Sequence, residues 1–188
     1  MRKDLLGYKA AFLVSGGFIQ EDLIQSQKAL SETGCSVHII SPDPGVVNGW
    51  DGQNWGHHYA VDAPLNQALG VDYDFVVVPG GQRSVDKLKL TAHTKRFLGS
   101  FLETDRPAVL MDDALRLIIY SGQVEGYRVS GPALLEAEIT QAAGEWQGEG
   151  VCFDRQLMTG PVNSETRLNF VDMMVDHFKL SMKVEWAA

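Results

Sequence analysis

Residues Arg106 to Leu117 read R-P-A-V-L-M-D-D-A-L-R-L. Ala108 to Met111 form an unbroken apolar run, which is typical of a strand buried on both faces of a sheet. Asp112 and Asp113 end that run, and good helix formers follow. The pattern predicts a strand, a sharp turn and a helix, with two carboxylates in the elbow turn, Asp112–Asp113. Ligands of open parallel sheets bind at the carboxyl ends of the strands, so this turn is the first candidate for a functional site.

Strand-like and helix-like segments alternate over the rest of the chain. The predicted strands are 9–15, 36–41, 73–78, 108–111, 127–130 and two within 150–159, and the predicted helices are 20–33, 84–90, 94–103, 114–122, 132–144 and 164–180. This alternation predicts an α/β protein with a mostly parallel sheet covered on both faces. Segments 9–15, 73–78 and 108–111 are expected in the sheet interior. The last helix is expected to bury one side, which carries Leu168, Val171, Met174, Val175 and Phe178.

Composition limits the classes of function. A length of 188 residues fits a single domain, 1–188. The net charge of −8 and the lack of a basic patch argue against nucleic-acid binding. No apolar run is long enough to span a membrane, and the first seven residues are too short and polar for a secretory signal. With two cysteines, Cys35 and Cys152, a disulfide framework is not indicated, and we expect a cytoplasmic protein.

Three strand ends together resemble those of the ThiJ/PfpI superfamily: Ser15-Gly16-Gly17, Pro79-Gly80-Gly81 and the elbow turn. The similarity extends to G-W-D-G-Q-N-W-G at 49–56, A-A-G-E-W at 142–146 and the turn at Asp154. The resemblance implies a three-layer α/β/α sandwich of the flavodoxin-like, class I glutamine-amidotransferase-like kind, with an added β-hairpin at 45–62. Residues 79–88 also resemble the C-terminal domain of large-subunit catalases.

The catalytic positions depart from the superfamily pattern. Its members carry A-I-C-H-G after the central strand, whereas this chain reads Leu110-Met111-Asp112-Asp113-Ala114. Asp112 therefore stands at the position of the nucleophilic cysteine. The family's glutamate after the first strand matches Ile19 here, and Glu21 is an alternative only if two extra residues enter that turn.

The candidate ligand pocket holds the residues of all three strand ends, namely Gly16, Gly17, Ile19, Gly80, Gly81, Asp112 and Asp113. Each group has two interpretations. The two aspartates can cap the following helix, with Arg116 as an ionic partner, or share a proton as an acid or nucleophile. The glycine pairs can form tight turns or present N–H groups to an anion. We favour capping for the aspartates and leave the glycines open.

No cofactor or metal site is expected. His57 and His58 are adjacent in an extended segment and point to opposite faces, so they do not chelate together. His38 is expected in the core or at a strand edge, and both cysteines as small buried thiols.

Two functions are compatible with these features of the sequence. The first is a catalytically degenerate ThiJ/PfpI-like protein that binds a small molecule or a partner and forms a homodimer. The alternative is a hydrolase or lyase, peptidase/amidase or glyoxalase-like, that uses Asp112 and Asp113 as acid and base. Trp50 or Trp55 is expected to pack over the pocket mouth or across a subunit boundary.

Overall fold

The computed structural model describes residues 4–185, with side chains described as far as Met182. Residues 1–3, the start of the segment considered for a secretory signal, lie outside this range. The strands are β1 (Lys9–Leu13), β2 (Phe18–Ile19), β3 (Ser36–Ser41), β4 (Val46–Trp50), β5 (Trp55–Ala60), β6 (Ala63–Pro64), β7 (Phe75–Val78), β8 (Ala108–Met111), β9 (Arg128–Val129), β10 (Glu145–Trp146), β11 (Cys152–Asp154) and β12 (Leu157–Gly160). The α-helices are α1 (Gln20–Glu32), α2 (Gln82–Leu88), α3 (Ala92–Leu102), α4 (Arg116–Tyr120), α5 (Glu136–Gln141) and α6 (Arg167–Glu185).

The central sheet has seven strands in the order β11-β12-β8-β7-β1-β3-β6. All of its pairings are parallel except β11 with β12, which form an antiparallel hairpin. The predicted interior positions of β1, β7 and β8 are confirmed. All four residues of β7 and of β8 are buried, which is why both segments read as continuous apolar runs.

Alternate residues of the strands enter two separate cores, one on each face of the sheet. Ala11, Val76 and Leu110 point into the core formed with α2 to α5. Phe12, Val77 and Val109 point into the core formed with α1 and α6. This two-residue alternation, with helices on both faces, produces the expected three layers.

The last helix begins at Arg167, and the prediction for Leu168 is wrong. Its buried stripe is centred on Phe170, Met174 and Phe178, each almost fully buried. Leu168 lies two residues before Phe170, a rotation of roughly 200° about the helix axis, and its side chain is 62% exposed.

The predicted hairpin at 45–62 is confirmed as β4 and β5, which pair antiparallel and join β2 in a small second sheet. Gln20, the first residue of α1, fixes the hairpin because its side-chain oxygen accepts the N–H of His57 at 2.5 Å. Gly49 and Gly56 permit this contact, since a Cβ on either would lie under 3.0 Å from the Gln20 side chain.

Candidate functional site

The elbow turn adopts a strained backbone. Asp112 follows β8 directly and has φ of +53°, a left-handed conformation that few residues other than glycine adopt. A short 3-10 helix, Asp112–Leu115, leads from this turn into α4. Aspartate tolerates the left-handed region better than most residues, so the sequence suits the turn. The strand, sharp turn and helix predicted for this stretch are therefore confirmed.

The predicted capping role of the two aspartates is wrong for their own helix. No side chain caps the turn that begins after Met111. Asp113 instead accepts the N–H of Gly81, at 2.7 Å, just before α2. Arg116 pairs with Glu138 at 3.2 Å, although its charge also acts on Asp113. Asp113 thus links two strand ends, those of β7 and β8.

Gly80 lies between three carboxyl groups. A Cβ placed on it would be 3.2 Å from the Asp112 Cβ, 3.3 Å from an Asp113 oxygen and 3.3 Å from an Asp22 oxygen. The N–H of Gly80 donates to Asp22 Oδ2 at 3.3 Å. Glycine fits closely here, because a side chain would press against this carboxyl cluster, Asp22–Asp112–Asp113.

Asp22 is the residue at the elbow that sequence reasoning missed. It lies three residues after Ile19, so it reaches the elbow from the first turn of α1. Its side chain is 2% exposed, and its Oδ1 accepts a hydrogen bond from Nε of Arg167 at 2.7 Å. An aspartate and a serine, Asp22 and Ser26, both fall on the buried side of α1, and this was the available signal.

Burial dominates the electrostatics of the carboxyl cluster. It raises the pKa of Asp22 from 3.8 to about 6, against the opposing hydrogen bond and charge of Arg167. It also raises the pKa of Asp112, and the charge of Asp113 raises it further. The pKa of Asp113 is raised by burial despite the Gly81 N–H and Arg116. The elbow therefore holds protons more tightly than exposed carboxyl groups do.

The glycine pairs form tight turns whose N–H groups already have acceptors. Gly17 and Gly81 have φ of +94° and +128°, which L-residues rarely adopt. The N–H groups of Gly16, Gly80 and Gly81 donate to the carboxylates of Asp43, Asp22 and Asp113. Gly17 donates to the carbonyl of Asn48. The tight-turn interpretation therefore applies, and the anion-binding alternative does not.

Neither candidate for the missing glutamate supplies a carboxylate to the elbow. Ile19 precedes α1, and its N–H donates to the carbonyl of Gly80 at 2.7 Å. Glu21 is exposed and accepts a hydrogen bond from Gln25. The shifted match through Glu21 is thus wrong, and Asp22 occupies the place beside Asp112.

Gly16 faces a different space from the elbow residues. It lines a cavity of about 310 Å³, the Gly16 cavity, whose walls include Asp43, Val46, Asn48, Trp55 and Lys87. Asp112 and Asp113 are not among its lining residues. The structure therefore divides the predicted pocket in two: a packed carboxyl cluster at the elbow, and an open cavity at the ends of β1 and β3.

The cysteines and histidines lie away from the elbow. Cys35 follows α1 and is buried, as predicted, whereas Cys152 lies on the edge strand β11 and is only half-buried. His57 and His58 are exposed on β5. His38 lies in β3 and packs edge-on against Tyr73. Within residues 4–182, no group of three or more His, Cys, Asp or Glu side chains is placed to hold a metal ion. Likewise, no helix of the described chain is long and apolar enough to cross a membrane.

Comparison with known proteins decides the family. Residues 8–175 match the DJ-1/PfpI family. The chain belongs to the DJ-1/PfpI family. The resemblance to ThiJ/PfpI proteins, drawn from the three strand ends, is thereby confirmed.

The relatives include enzymes and stress proteins. Deglycase PfpI of Pyrococcus furiosus is 23% identical over 146 residues, which cover 78% of this chain and 85% of that protein. Protein DJ-1 homolog D of Arabidopsis thaliana is 22% identical over 149 residues, 71% of this chain but 38% of the plant protein. Catalase HPII of Pseudomonas putida is 26% identical over 65% of this chain and 19% of the catalase, in line with the similarity seen at 79–88.

Solved structures show the same fold. A two-domain protein of Anabaena variabilis with DJ-1/ThiJ/PfpI-like and ferritin-like domains superposes with a TM-score of 0.80. Its sequence identity is 19%, and the match covers 90% of this chain and 47% of that protein. The flavodoxin-like, mostly parallel α/β fold expected from the sequence is confirmed by this likeness.

Proposed function

We propose that this chain is a binding member of the DJ-1/PfpI family that performs no thiol chemistry. The observation that carries the proposal is Asp112 at the elbow, in the strained conformation that follows β8. A carboxylate is a weaker nucleophile than a thiolate, and this one lies beside two other carboxyl groups. We further propose a cytoplasmic homodimer with a small-molecule ligand, no nucleic-acid partner and no bound cofactor.

The two cysteines are poor substitutes for an elbow thiol. Burial raises the pKa of Cys35 to about 12, and the thiol donates to the carbonyl of Ser36 at 3.5 Å. Burial also raises the pKa of Cys152, although the charge of Arg128 opposes the shift. Because the thiolate is the reactive species, both side chains are expected to be inert near neutral pH.

The same strand ends support a binding role. Ligands of α/β proteins occupy the crevice at the carboxyl ends of the strands, and the Gly16 cavity lies there. The carboxyl cluster, by contrast, satisfies its backbone donors internally. We therefore place ligand binding at the cavity and give the cluster a structural role.

A second candidate is an acid–base hydrolase or lyase that uses Asp112 and Asp113. The raised pKa values of both carboxyl groups favour it, since a general acid must hold its proton near the working pH. This enzyme would act on a small carbonyl or amide substrate. It requires the substrate to reach Asp112, which is half-buried.

Turnover assays separate the two candidates. The wild-type protein is assayed for peptidase and glyoxalase activity before and after iodoacetamide, beside Cys35→Ser and Cys152→Ser. The binding proposal expects no turnover in any sample. Turnover lost on alkylation, or in either cysteine variant, contradicts it. Turnover that survives alkylation but is lost in Asp112→Asn, with a pH profile that follows a raised carboxyl pKa, favours the second candidate.

A restoration experiment tests whether only side chains were lost. Asp112→Cys alone is expected to restore little activity, because Ile19 supplies no carboxyl group and both oxygens of the nearby Asp22 already accept hydrogen bonds, from Arg167 and Gly80. The double variant with Ile19→Glu supplies both groups and is the fairer test. If Asp112→Cys alone were as active as the double variant, a carboxyl partner at position 19 would not be needed.

A further inference from the structure

We propose that the Gly16 cavity binds a small zwitterion of the α-amino-acid kind. The ligand's ammonium group would lie on Asp43, its carboxylate on Lys87 and its side chain against Trp55. The inference rests on the proposed binding function and gives that function a site and a ligand class. It does not depend on the chemistry of the elbow.

Hydrogen bonds hold the Asp43 carboxylate in place through one of its two oxygens and leave the other oxygen available to a ligand. Its Oδ2 accepts hydrogen bonds from Oγ of Ser15 at 2.7 Å and from the N–H of Gly16 at 2.8 Å. Within the described residues, Oδ1 of Asp43 has no hydrogen-bond donor. Burial opposes ionisation, but these hydrogen bonds and the charge of Lys87 together outweigh it and lower the pKa of Asp43. The cavity therefore presents a charged, oriented acceptor for a ligand donor.

Lys87 supplies the opposite charge and is only loosely held. Its Nζ is 3.8 Å from Asp43 Oδ2, and its side chain is 53% exposed. An exposed ion pair of this kind contributes little stability, so the ammonium group can engage a ligand carboxylate at small cost. The two charges are close enough for a molecule with both groups on one carbon to reach both.

The apolar wall of the cavity is exposed to solvent, and ring contacts hold its indole group in place. Trp55 and Val46 both line the cavity and are 54% and 53% exposed. The Trp55 ring packs edge-on against Trp50 at 5.5 Å between centroids, and the Arg83 guanidinium lies 4.0 Å from the Trp50 centroid. A large apolar surface held in place beside paired charges suits a ligand with an apolar body and a polar head.

Glycine at position 16 keeps the space between the two charges open. A Cβ there would lie 3.2 Å from Lys87 Nζ and 3.6 Å from Asp43 Oδ2. Gly16 is not among the glycines with positive φ, so alanine fits its backbone. A methyl group would therefore occupy the polar end of the cavity without straining the turn.

The two opposite charges of the site favour a zwitterion over a simple anion or cation. A simple anion would pair with Lys87 but be repelled by Asp43, and a simple cation would meet the reverse arrangement. Only a ligand with both charges satisfies both side chains at once.

Calorimetric titration tests the site on the full chain. The probes are L-phenylalanine, L-leucine and L-glutamine, with two analogues of the first: phenethylamine, which lacks the carboxylate, and 3-phenylpropionate, which lacks the ammonium group. At least one amino acid is expected to bind, and where it is L-phenylalanine each analogue should bind at least about tenfold more weakly. Gly16→Ala and Lys87→Met should weaken binding of the amino acid by about tenfold or more. Lys28→Met, on the exposed side of α1, is the control and should bind as the wild type does.

Several results would overturn the proposal. These are no binding by any of the three amino acids, equal binding by L-phenylalanine and both analogues, or wild-type affinity in Gly16→Ala and Lys87→Met. Thermal melts of the variants show that each is folded before titration. Because the absence of cysteine-dependent turnover is measured separately, the zwitterion site can fail while the proposed loss of thiol chemistry stands.

Discussion

Replacing Asp22 by asparagine should change how the stability of the protein depends on pH. The folded protein binds the Asp22 proton more tightly than the unfolded chain, because burial raises the pKa from 3.8 to about 6. A group of this kind stabilises the fold fully below its unfolded pKa, and that stability is lost as pH rises through the folded pKa. Asp22→Asn removes the titration while keeping the shape of the side chain.

The size of the effect follows from the shift. A rise in pKa from 3.8 to about 6 corresponds to about 3 kcal/mol in total. Of this, about 2 kcal/mol falls between about pH 4 and about pH 8, since the unfolded aspartate is already half ionised at the lower value. The free energy of unfolding of the wild type should therefore drop by about 2 kcal/mol relative to Asp22→Asn over this range.

Urea unfolding followed by tryptophan fluorescence measures the difference at each pH. The weaker, uncharged hydrogen bond from Arg167 to asparagine adds a constant offset, so the slope with pH, and not the offset, is the test. Asp172→Asn, an exposed position on α6, is the matched control and should parallel the wild type. If Asp22→Asn also parallels the wild type, or if the wild type gains stability relative to it as pH rises, the argument from burial is refuted.

Two further predictions concern packing and are checked by the same urea unfolding. Gly81→Ala should lower the free energy of unfolding by at least about 2 kcal/mol, because the new Cβ would lie 2.7 Å from the Gly17 carbonyl oxygen at a φ of +128°. Gly126→Ala is the control: its φ is +71° but its Cβ would meet open space, so the loss should be about 1 kcal/mol. Equal losses in the two variants would mean that the close approach at Gly81 is unimportant. Phe178→Ala should cost about 3–5 kcal/mol, since Phe178 is fully buried and stacks on Phe75 at 4.2 Å, whereas Leu168→Ala should change stability by under about 0.5 kcal/mol. A large loss in Leu168→Ala would restore that residue to the buried stripe.

The sheet could be predicted from the sequence because each buried strand is a short, continuous apolar segment with a clear end. Segment 108–111 is apolar at every position, as a strand covered on both faces requires, and it ends at two aspartates. The helix boundaries were less exact. The buried face of the last helix was also predicted inexactly. An apolar residue near the start of a helix, such as Leu168, is compatible with several rotations of the helix about its axis, and only the residues that pack in the core determine which rotation occurs.

The candidate site was predictable only in part, because its contacts join distant parts of the chain. The turn at Asp112 and Asp113 was found from a local pattern. The pairing of Asp22 with Arg167 spans 145 residues, and nothing near either residue indicates it. The separation of Gly16 from the elbow was also hidden, since the cavity that Gly16 lines is completed by Asp43 and Lys87, which are distant from it in sequence.

In the binding role that we propose, the elbow keeps the strained turn after β8 but performs no thiol chemistry. A left-handed residue at the end of β8 costs stability, of order 1 kcal/mol or more, unless surrounding contacts enforce it. Here Asp113 accepts the N–H of Gly81 and so connects the turn to the residue before α2. The same N–H groups that could stabilise an oxyanion are occupied by the chain's own carboxylates. The carboxyl cluster therefore keeps its backbone donors satisfied, and in our proposal a ligand binds at the Gly16 cavity instead.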